Sequence, residues 1–323
     1  MARITFLARR GSSTPVAEYL LSWGRPLGRA VRLRHHRRTF DPHGWRRRLR
    51  YAQLQTLPLA LGALRPGRTW SGPRDAVLYC DLERLSPVET EHAVKSWRRL
   101  AERSPAPRLL NDPARALRRY ELLRVLADAG RSSHDVLRVV EHRRPRRFPV
   151  FVRGDGHRVG ILTELLHSQR ELDAALAELD ARRMPREDLL IVEFTDTRSA
   201  DGLYRKYSAF RVGDRIVPRH VLFSKHWAQS RADELGPRWV EEELAYLEDN
   251  PHAAPLMQIF QLARIEYGRI DYGLRDGRIE VWEINTNPSI LKARMWSDIQ
   301  RLPVHRHFAE RFVDALDALT QEA

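Results

Sequence analysis

Several oxygen-bearing side chains are concentrated near the carboxy-terminal end of this 323-residue chain. Glu283, Asn285 and Asn287 follow an apolar run in the segment WEINTNP, and Asp271 lies upstream in RIDYG. Carboxylate and carboxamide oxygens suit Mg²⁺, which completes its coordination with water and phosphate oxygens. The group therefore indicates a magnesium and phosphate site. The alternative is structural: Glu283 and Asn285 cap a sheet edge, and Asp271 pairs with Arg269 or Arg219.

The metal site requires Asp271 and Glu283 to share one face of a hairpin. A two-residue turn at Asp276 and Gly277 would place the two carboxylates on opposite faces, because strand side chains alternate. A three-residue turn that includes Arg275, with a left-handed Gly277, shifts the register by one residue. We predict the second register, because it separates a polar and an apolar face. The polar face holds Asp271, Glu283 and Asn285, and the apolar face holds Ile270, Tyr272, Leu274, Trp282 and Ile284.

The stretch GRIDYGLRDGRIEVWEINTNP resembles the carboxy-terminal signature of the ATP-grasp superfamily. In that superfamily an Asp on one strand, and a Glu and an Asn on the next strand, hold the magnesium ions that bridge the nucleotide phosphates. The resemblance implies ATP as cofactor, with Mg²⁺ (two ions) or Mn²⁺. It implies Asp271, Glu283 and Asn285 as the metal ligands. The order of the preceding segments is also similar, from about residue 108 onward.

The same resemblance implies roles for residues in the two lobes that would clamp ATP. Arg153 stands where the family usually has a phosphate-binding Lys, and guanidinium keeps the charge but adds a planar fork. The segment GDGHRVG, with Gly154 and Gly156, resembles the glycine loop that closes over the phosphates. IVEF resembles the hinge between the lobes, which implies that Glu193 and Phe194 contact the adenine or ribose. The family also places phosphate-neutralising cations on the following paired strands, here Lys206 and Arg219, and Lys206 also contacts the nucleotide.

The function that the resemblance implies is carboxylate activation. A substrate carboxylate attacks the γ-phosphorus of ATP, and an amine or another nucleophile then attacks the acylphosphate. Two alternatives stay open at the level of sequence. One is an ATP-grasp kinase that phosphorylates a hydroxyl, and the other is a non-enzymatic nucleic-acid-binding module, for which the net charge of +14 is the argument.

The elements that must position these residues follow an α/β order. Strands are predicted at residues 4–8 and 75–82, and each precedes a helical segment, VAEYLLSW or the helix that Ser86 and Pro87 begin. NDP (111–113) is predicted to begin a long helix that ends at Gly130, and residues 148–194 read as two strands, a helix capped by Ser168 and a third strand. We therefore predict an amino-terminal α/β substrate domain (1–107), a lobe with the glycine loop (108–194) and a lobe with the magnesium site (195–323).

Composition limits the remaining possibilities. Hydrophobic residues make up 42% of the chain, enough for real cores, and the single Cys80 excludes an internal disulfide. The chain contains no long apolar run and no secretory signal pattern, so we expect a soluble, cytoplasmic protein without a membrane partner. The Arg-rich runs at 32–38 and 45–50 suit an acidic small molecule or peptide as the carboxylate substrate, and nucleic acid is the less favoured partner.

Overall fold

A computed structural model describes residues 4–8, 55–58, 75–156, 160–228, 232–291, 295 and 298–320. The predicted helix VAEYLLSW and the two Arg-rich runs at 32–38 and 45–50 lie outside these residues. The described chain is a mixed α/β fold with three sheets, as the sequence predicts.

The amino-terminal sheet is parallel, with the strand order β2-β1-β3-β4. The predicted helix after β3 begins where expected. The Ser86 hydroxyl accepts a hydrogen bond from the Glu89 amide, and the Glu89 carboxylate accepts one from the Ser86 amide. The elements are β1 (Ile4–Ala8), β2 (Gln55–Pro58), β3 (Ala76–Tyr79), α1 (Pro87–Ala101) and β4 (Arg108–Leu110).

The second sheet is antiparallel and has three strands in the order β5-β7-β6. The predicted strand after the glycine loop does not form. That segment returns beside β6 through two isolated bridges, which pair Arg153 with Ile161 and Val150 with Leu166. The elements are α2 (Arg119–Asp128), β5 (Val136–Arg138), β6 (Val150–Gly154), α3 (Gln169–Ala181) and β7 (Leu189–Glu193).

The third sheet is antiparallel and has four strands in the order β11-β10-β8-β9. The predicted hairpin turn at Gly213 and Asp214 joins β8 to β9, with Gly213 at φ +60°. The elements are β8 (Tyr204–Val212), β9 (Arg215–Ser224), α4 (Pro237–Asp249), α5 (Ala253–Ala263), β10 (Tyr267–Arg275), β11 (Arg278–Asn285) and α6 (Leu302–Ala318).

The β10–β11 hairpin brings Asp271 directly opposite Glu283, but by a different route from the one predicted. The turn has two residues, Asp276 at φ +50° and Gly277 at φ +74°, because Arg275 pairs with Arg278. The register shifts beside Asp271, where β11 carries Trp282 as an extra, bulged residue. The predicted three-residue turn is therefore wrong. Trp282 does not join the apolar face but lines a cavity.

The helix predicted to begin at NDP begins later, at Arg119. Asn111 is fully buried at φ +66° and does not cap a helix. Its amide nitrogen donates to the carbonyl oxygens of Tyr79 (2.8 Å) and Tyr267 (2.7 Å), and its amide oxygen accepts from the backbone of Glu266 and Tyr267. Asn111 therefore ties β3 to β10.

Four apolar clusters hold these elements together. The largest packs α6 between the parallel sheet and β8–β9, through residues such as Leu78, Phe210 and Phe308. A second joins α2 and α5 to β7 and the β10–β11 hairpin. Smaller clusters lie under α1 and under α3. Among the described residues, no helix combines the length and the apolar run that a membrane span needs.

Candidate functional site

A cavity of about 640 Å³ lies between the three-stranded sheet and the four-stranded sheet. Phe151, Arg153 and Val192 line it from the first sheet, and Lys206 and Asp271 line it from the second. Glu283, Phe194 and Trp227 also contribute. Charged residues and aromatic residues therefore share one enclosed space, and most of the residues that the sequence singles out border it.

Asp271 is buried in a shell of donors. Its carboxylate accepts hydrogen bonds from Arg269 Nε at 2.9 Å and from the Ser208 hydroxyl at 2.7 Å. Lys206 Nζ lies 3.0 Å from Asp271 Oδ2. Burial alone would raise the pKa of Asp271, but the charges of Arg269 and Lys206 hold this pKa well below its usual range. The carboxylate is therefore ionised, as a metal ligand must be.

Glu283 is paired with two arginines from the other lobe. Glu283 Oε2 accepts hydrogen bonds from Arg119 Nη2 at the start of α2 and from Arg153 Nη2 at 3.3 Å on β6. Burial lowers the pKa of Arg153 to about 10, and the nearby charge of Arg119 adds to this effect. Four cations, Arg119, Arg153, Lys206 and Arg269, thus contact two carboxylates.

The third predicted metal ligand, Asn285, lies at the end of β11 opposite Arg269. It is buried, and its amide oxygen accepts the Asn287 backbone N–H at 2.8 Å. Within the described residues, no three His, Cys, Asp or Glu side chains converge as a metal-binding group. The candidate donor set is instead two carboxylates and one carboxamide. This hard-oxygen set is of the type that Mg²⁺ or Mn²⁺ binds. The four cations around it favour an anion, so a divalent ion here would share its ligands with phosphate oxygens.

Phe151, Phe194 and Trp227 form an aromatic wall of the same cavity. The Trp227 ring lies 4.9 Å from the Phe151 ring and 5.6 Å from the Phe194 ring, centroid to centroid. Such a wall offers flat apolar faces to a planar ligand. Phe194, which the sequence predicts to contact the adenine or ribose, is part of this wall.

The Glu193 carboxylate is engaged within the protein. It accepts hydrogen bonds from the backbone N–H groups of Arg146 (2.8 Å) and Asp135 (3.2 Å), and from Arg147 Nε at 3.2 Å. Glu193 is buried and thereby fixes the basic segment that precedes β6. The structure places the residue at the cavity, but its side-chain oxygens serve this segment.

The glycine loop begins at the cavity. Gly154 ends β6, and its carbonyl oxygen accepts a hydrogen bond from Arg119 Nη1 at 2.9 Å, as does that of Asp155 at 2.8 Å. Gly156 follows at the edge of residues 157–159, which the structure does not describe. Arg119 thus contacts both the loop and Glu283.

Arg219 lies away from this group of charges. It is the extra residue of a bulge in β9, and its neighbour His220 pairs with Ser208. The Arg219 Nε donates to the Ile290 carbonyl oxygen at 2.9 Å, and its guanidinium lies 4.7 Å from the centroid of the Phe308 ring on α6. The structure therefore brings Lys206 to the carboxylates but does not bring Arg219 there.

Two residues at the site, Arg119 and Trp227, were missed in the sequence. Arg269 was named there only in the structural alternative, as a partner of Asp271, and this ion pair is present. Arg269 precedes Asp271 by two positions on β10, so strand alternation puts both on one face. Arg119 was hidden because the helix was expected to begin earlier, which placed this arginine in mid-helix. Trp227 follows β9 in a segment where no local pattern marks it.

Comparisons with known proteins give structural neighbours only. No protein-family model matches the sequence. No curated protein matches it either. The structure is similar to D-alanine–D-alanine ligase from Bacillus anthracis complexed with ATP, with a TM-score of 0.49, 13% identity and 100% of both chains covered.

Two further solved structures are similar at the same level. One is a RimK domain protein ATP-grasp from Sphaerobacter thermophilus, with a TM-score of 0.42, 16% identity, and 96% of this chain and 98% of that chain covered. The other is N5-carboxyaminoimidazole ribonucleotide synthetase from Thermus thermophilus, with a TM-score of 0.49, 14% identity, and 95% and 78% covered.

Proposed function

We propose that this chain is an ATP- and Mg²⁺-dependent ligase of the ATP-grasp kind, which activates a substrate carboxylate for attack by an amine or another nucleophile. The observation that carries this proposal is the charge arrangement in the cavity. Arg153 and Lys206 line the cavity beside Asp271 and Glu283, Arg119 and Arg269 contact the same two carboxylates, and an aromatic wall lines the same cavity. A nucleoside triphosphate has the matching parts, a flat base and a polyanionic tail.

Each part of the nucleotide has residues to hold it. Trp227 and Phe194 would contact the base, and Arg119, Arg153 and Lys206 would contact the phosphates. Asp271, Glu283 and Asn285 would hold the divalent ions, which supply charge neutralisation on the phosphate oxygens when they are bound. Gly154 and Gly156 would place the backbone of the glycine loop over the phosphates.

The protein would contribute positioning and charge neutralisation to the reaction, and it would form no covalent intermediate with the substrate. A carboxylate oxygen of the substrate bonds to the γ-phosphorus, and the bond from that phosphorus to ADP breaks. The amine then bonds to the acyl carbon and loses a proton, and inorganic phosphate leaves. We assign Lys206 to the transferring phosphoryl group. Of the two predicted catalytic residues, Lys206 and Arg219, only Lys206 contacts Asp271.

The substrates would enter from the amino-terminal domain, which we place at residues 1–107, with the two nucleotide-binding lobes at 108–194 and 195–323. The strand β4 (Arg108–Leu110) also belongs to the sheet of the amino-terminal domain. The parallel order β2-β1-β3-β4 has its topological switch between β1 and β3, where ligands of such sheets bind. The residues after β3 contact the loop after β11 directly. The substrate class that we propose is a small molecule or peptide that carries the reacting carboxylate. The Arg-rich runs favour a substrate with a net negative charge.

The test is trapping of an activated carboxylate. The protein is incubated with ATP, Mg²⁺, hydroxylamine and a panel of amino acids, dipeptides and dicarboxylates, and hydroxamate formation is measured. We expect a hydroxamate and equimolar ADP with at least one carboxylate. The matched variant Lys206→Met should lose at least tenfold in rate, since one charge-assisted contact contributes about 1.5–3 kcal/mol.

Other outcomes would change the assignment. ADP release with a stable phosphoester and no hydroxamate would indicate the kinase alternative. Nucleotide binding without turnover on the whole panel would leave a binding protein, and no nucleotide binding would contradict the proposal.

A further inference from the structure

Glu283 is the one predicted metal ligand that reaches across the cavity. Its Oε2 atom contacts Arg119 of α2 and Arg153 of β6, while Glu283 itself belongs to β11. The side chains of Arg119, Arg153 and Glu283 are 5%, 14% and 16% exposed. These ion pairs therefore connect the two lobes on either side of the nucleotide cavity and are largely shielded from solvent.

Both arginines share one oxygen of Glu283, and the Asp155 carboxyl lies near enough to interact electrostatically with both of them. Arg119 also donates through Nη1 to the carbonyl oxygens of Gly154 and Asp155, so it holds the start of the glycine loop as well as Glu283. Arg153 Nε is buried without a hydrogen-bond partner among the described residues. A buried guanidinium donor of this kind favours a ligand that brings further anionic oxygens to the pair.

We propose that Glu283 is an internal stand-in for phosphate: in the nucleotide-free protein it occupies Arg119 and Arg153, and the nucleotide phosphates displace it. This inference rests on the proposed function, since it concerns the regulation of the same site. Once displaced, Glu283 is available to a divalent ion. Because Asp271 is likewise paired with Lys206 and Arg269, a divalent ion without nucleotide meets two carboxylates that are already neutralised. The metal site is therefore completed only when nucleotide binds.

If the phosphates displace Glu283, removal of the Glu283 carboxylate should change ATP affinity in opposite directions without and with Mg²⁺. Without metal, Glu283 competes with the phosphates for the two arginines and repels them, so its removal should strengthen nucleotide binding. With Mg²⁺, Glu283 contributes a ligand, so its removal should weaken binding. A residue that served only to hold the two lobes together would weaken binding under both conditions.

The test is calorimetric binding of ATP to wild type and to Glu283→Gln, first in EDTA and then with Mg²⁺. We expect Glu283→Gln to bind ATP about tenfold more tightly in EDTA and about tenfold more weakly with Mg²⁺, the size of one charged hydrogen bond. Glu178→Gln is the matched control. It removes the same charge from an exposed position on α3 and should match wild type under both conditions.

Arg153→Gln tests the same exchange from the other partner, independently of whether Glu283→Gln folds. This variant removes one of the two cations that hold Glu283. It should bind Mn²⁺ alone several-fold more tightly than wild type, as measured by electron paramagnetic resonance, and should bind ATP more weakly.

The proposal is overturned if wild type binds ATP with Mg²⁺ but Glu283→Gln gains no affinity in EDTA, or if Arg153→Gln gains no affinity for Mn²⁺. The nucleotide site would survive either result. If wild type binds no ATP with Mg²⁺, the proposed function fails, and this inference fails with it.

Discussion

Trp227 is the side chain that joins the aromatic residues of the cavity into one wall. Its ring packs against Phe151 and Phe194, which belong to the opposite sheet and to the segment after β7. It is half-buried, so one part of the indole is held by the protein and another part borders the cavity. An indole in this position can stack on a planar base.

Trp227→Ala should therefore weaken nucleotide binding. Stacking of a base on an aromatic side chain contributes about 1–3 kcal/mol, so we expect affinity for ATP with Mg²⁺ to fall about tenfold or more. Trp227→Phe keeps an aromatic face and should lose much less. Calorimetric titration of both variants measures the difference, and equal affinity of wild type and Trp227→Ala would show that the base binds elsewhere.

Among the elements, the hairpin β10–β11 positions both candidate acidic ligands. Asp271 and Glu283 share one face as predicted, since the two residues pair. The alternation of polar and apolar residues did not predict how this arises, because the register shift comes from the bulge at Trp282 and not from the turn. The bulged Trp282 ring packs closely over Gly273, where an added Cβ would lie 2.9 Å from it. Sequence periodicity does not contain such contacts.

The start of α2 illustrates the same limit. Asn-Asp-Pro has the local chemistry of a helix start, and Asp112 does accept a hydrogen bond from the Ala114 amide. The Asn111 side chain, however, hydrogen-bonds to the backbone of β3 and of the start of β10 and does not cap the helix. The charges at the site were predictable where strand alternation places them, as for Asp271 and Lys206. They were not predictable where a helix from another lobe supplies them, as for Arg119.

Asn111→Ala should lower stability strongly. It would leave the carbonyl oxygens of Tyr79 and Tyr267 and two backbone N–H groups without their buried partner, so we expect a loss of about 2–4 kcal/mol in the free energy of unfolding. Asp112→Ala, at the neighbouring exposed turn, should cost about 1 kcal/mol or less. Urea denaturation measures both. Similar small losses in the two variants would mean that Asn111 does not link the sheets.

Across the whole molecule, polar contacts link the parallel sheet to the loop that follows β11. The Thr286 hydroxyl donates to Glu83 Oε2 at 2.6 Å and accepts the Leu82 N–H at 2.9 Å. Asn287 Nδ2 donates to Asp81 Oδ2 at 3.0 Å. The loop after β11 therefore couples the candidate metal site to the domain that we propose to bind substrate.

This contact predicts a pH dependence of stability. Burial raises the pKa of Glu83 above its ordinary value of 4.5, although the Thr286 hydroxyl opposes the shift. The folded protein then retains a proton that the unfolded chain has released, so the free energy of unfolding contributed by Glu83 falls as pH rises from about 4.5 through the raised value. Glu83→Gln removes this dependence.

Urea denaturation across this pH range compares the slopes of wild type and Glu83→Gln. We expect wild type to lose stability relative to Glu83→Gln as pH rises, while the exposed control Glu178→Gln follows wild type. Parallel slopes in wild type and Glu83→Gln would contradict the burial of an ionisable Glu83 at this interface.

Calorimetric titration of ATP with Mg²⁺ at moderate salt shows whether the cavity binds ATP through Asp271 and Glu283. We predict micromolar binding by wild type and Glu178→Gln, and binding at least tenfold weaker by Asp271→Ala and Glu283→Ala, since each removes a charged ligand. Absence of binding by wild type, or equal affinity in all four proteins, would contradict the account.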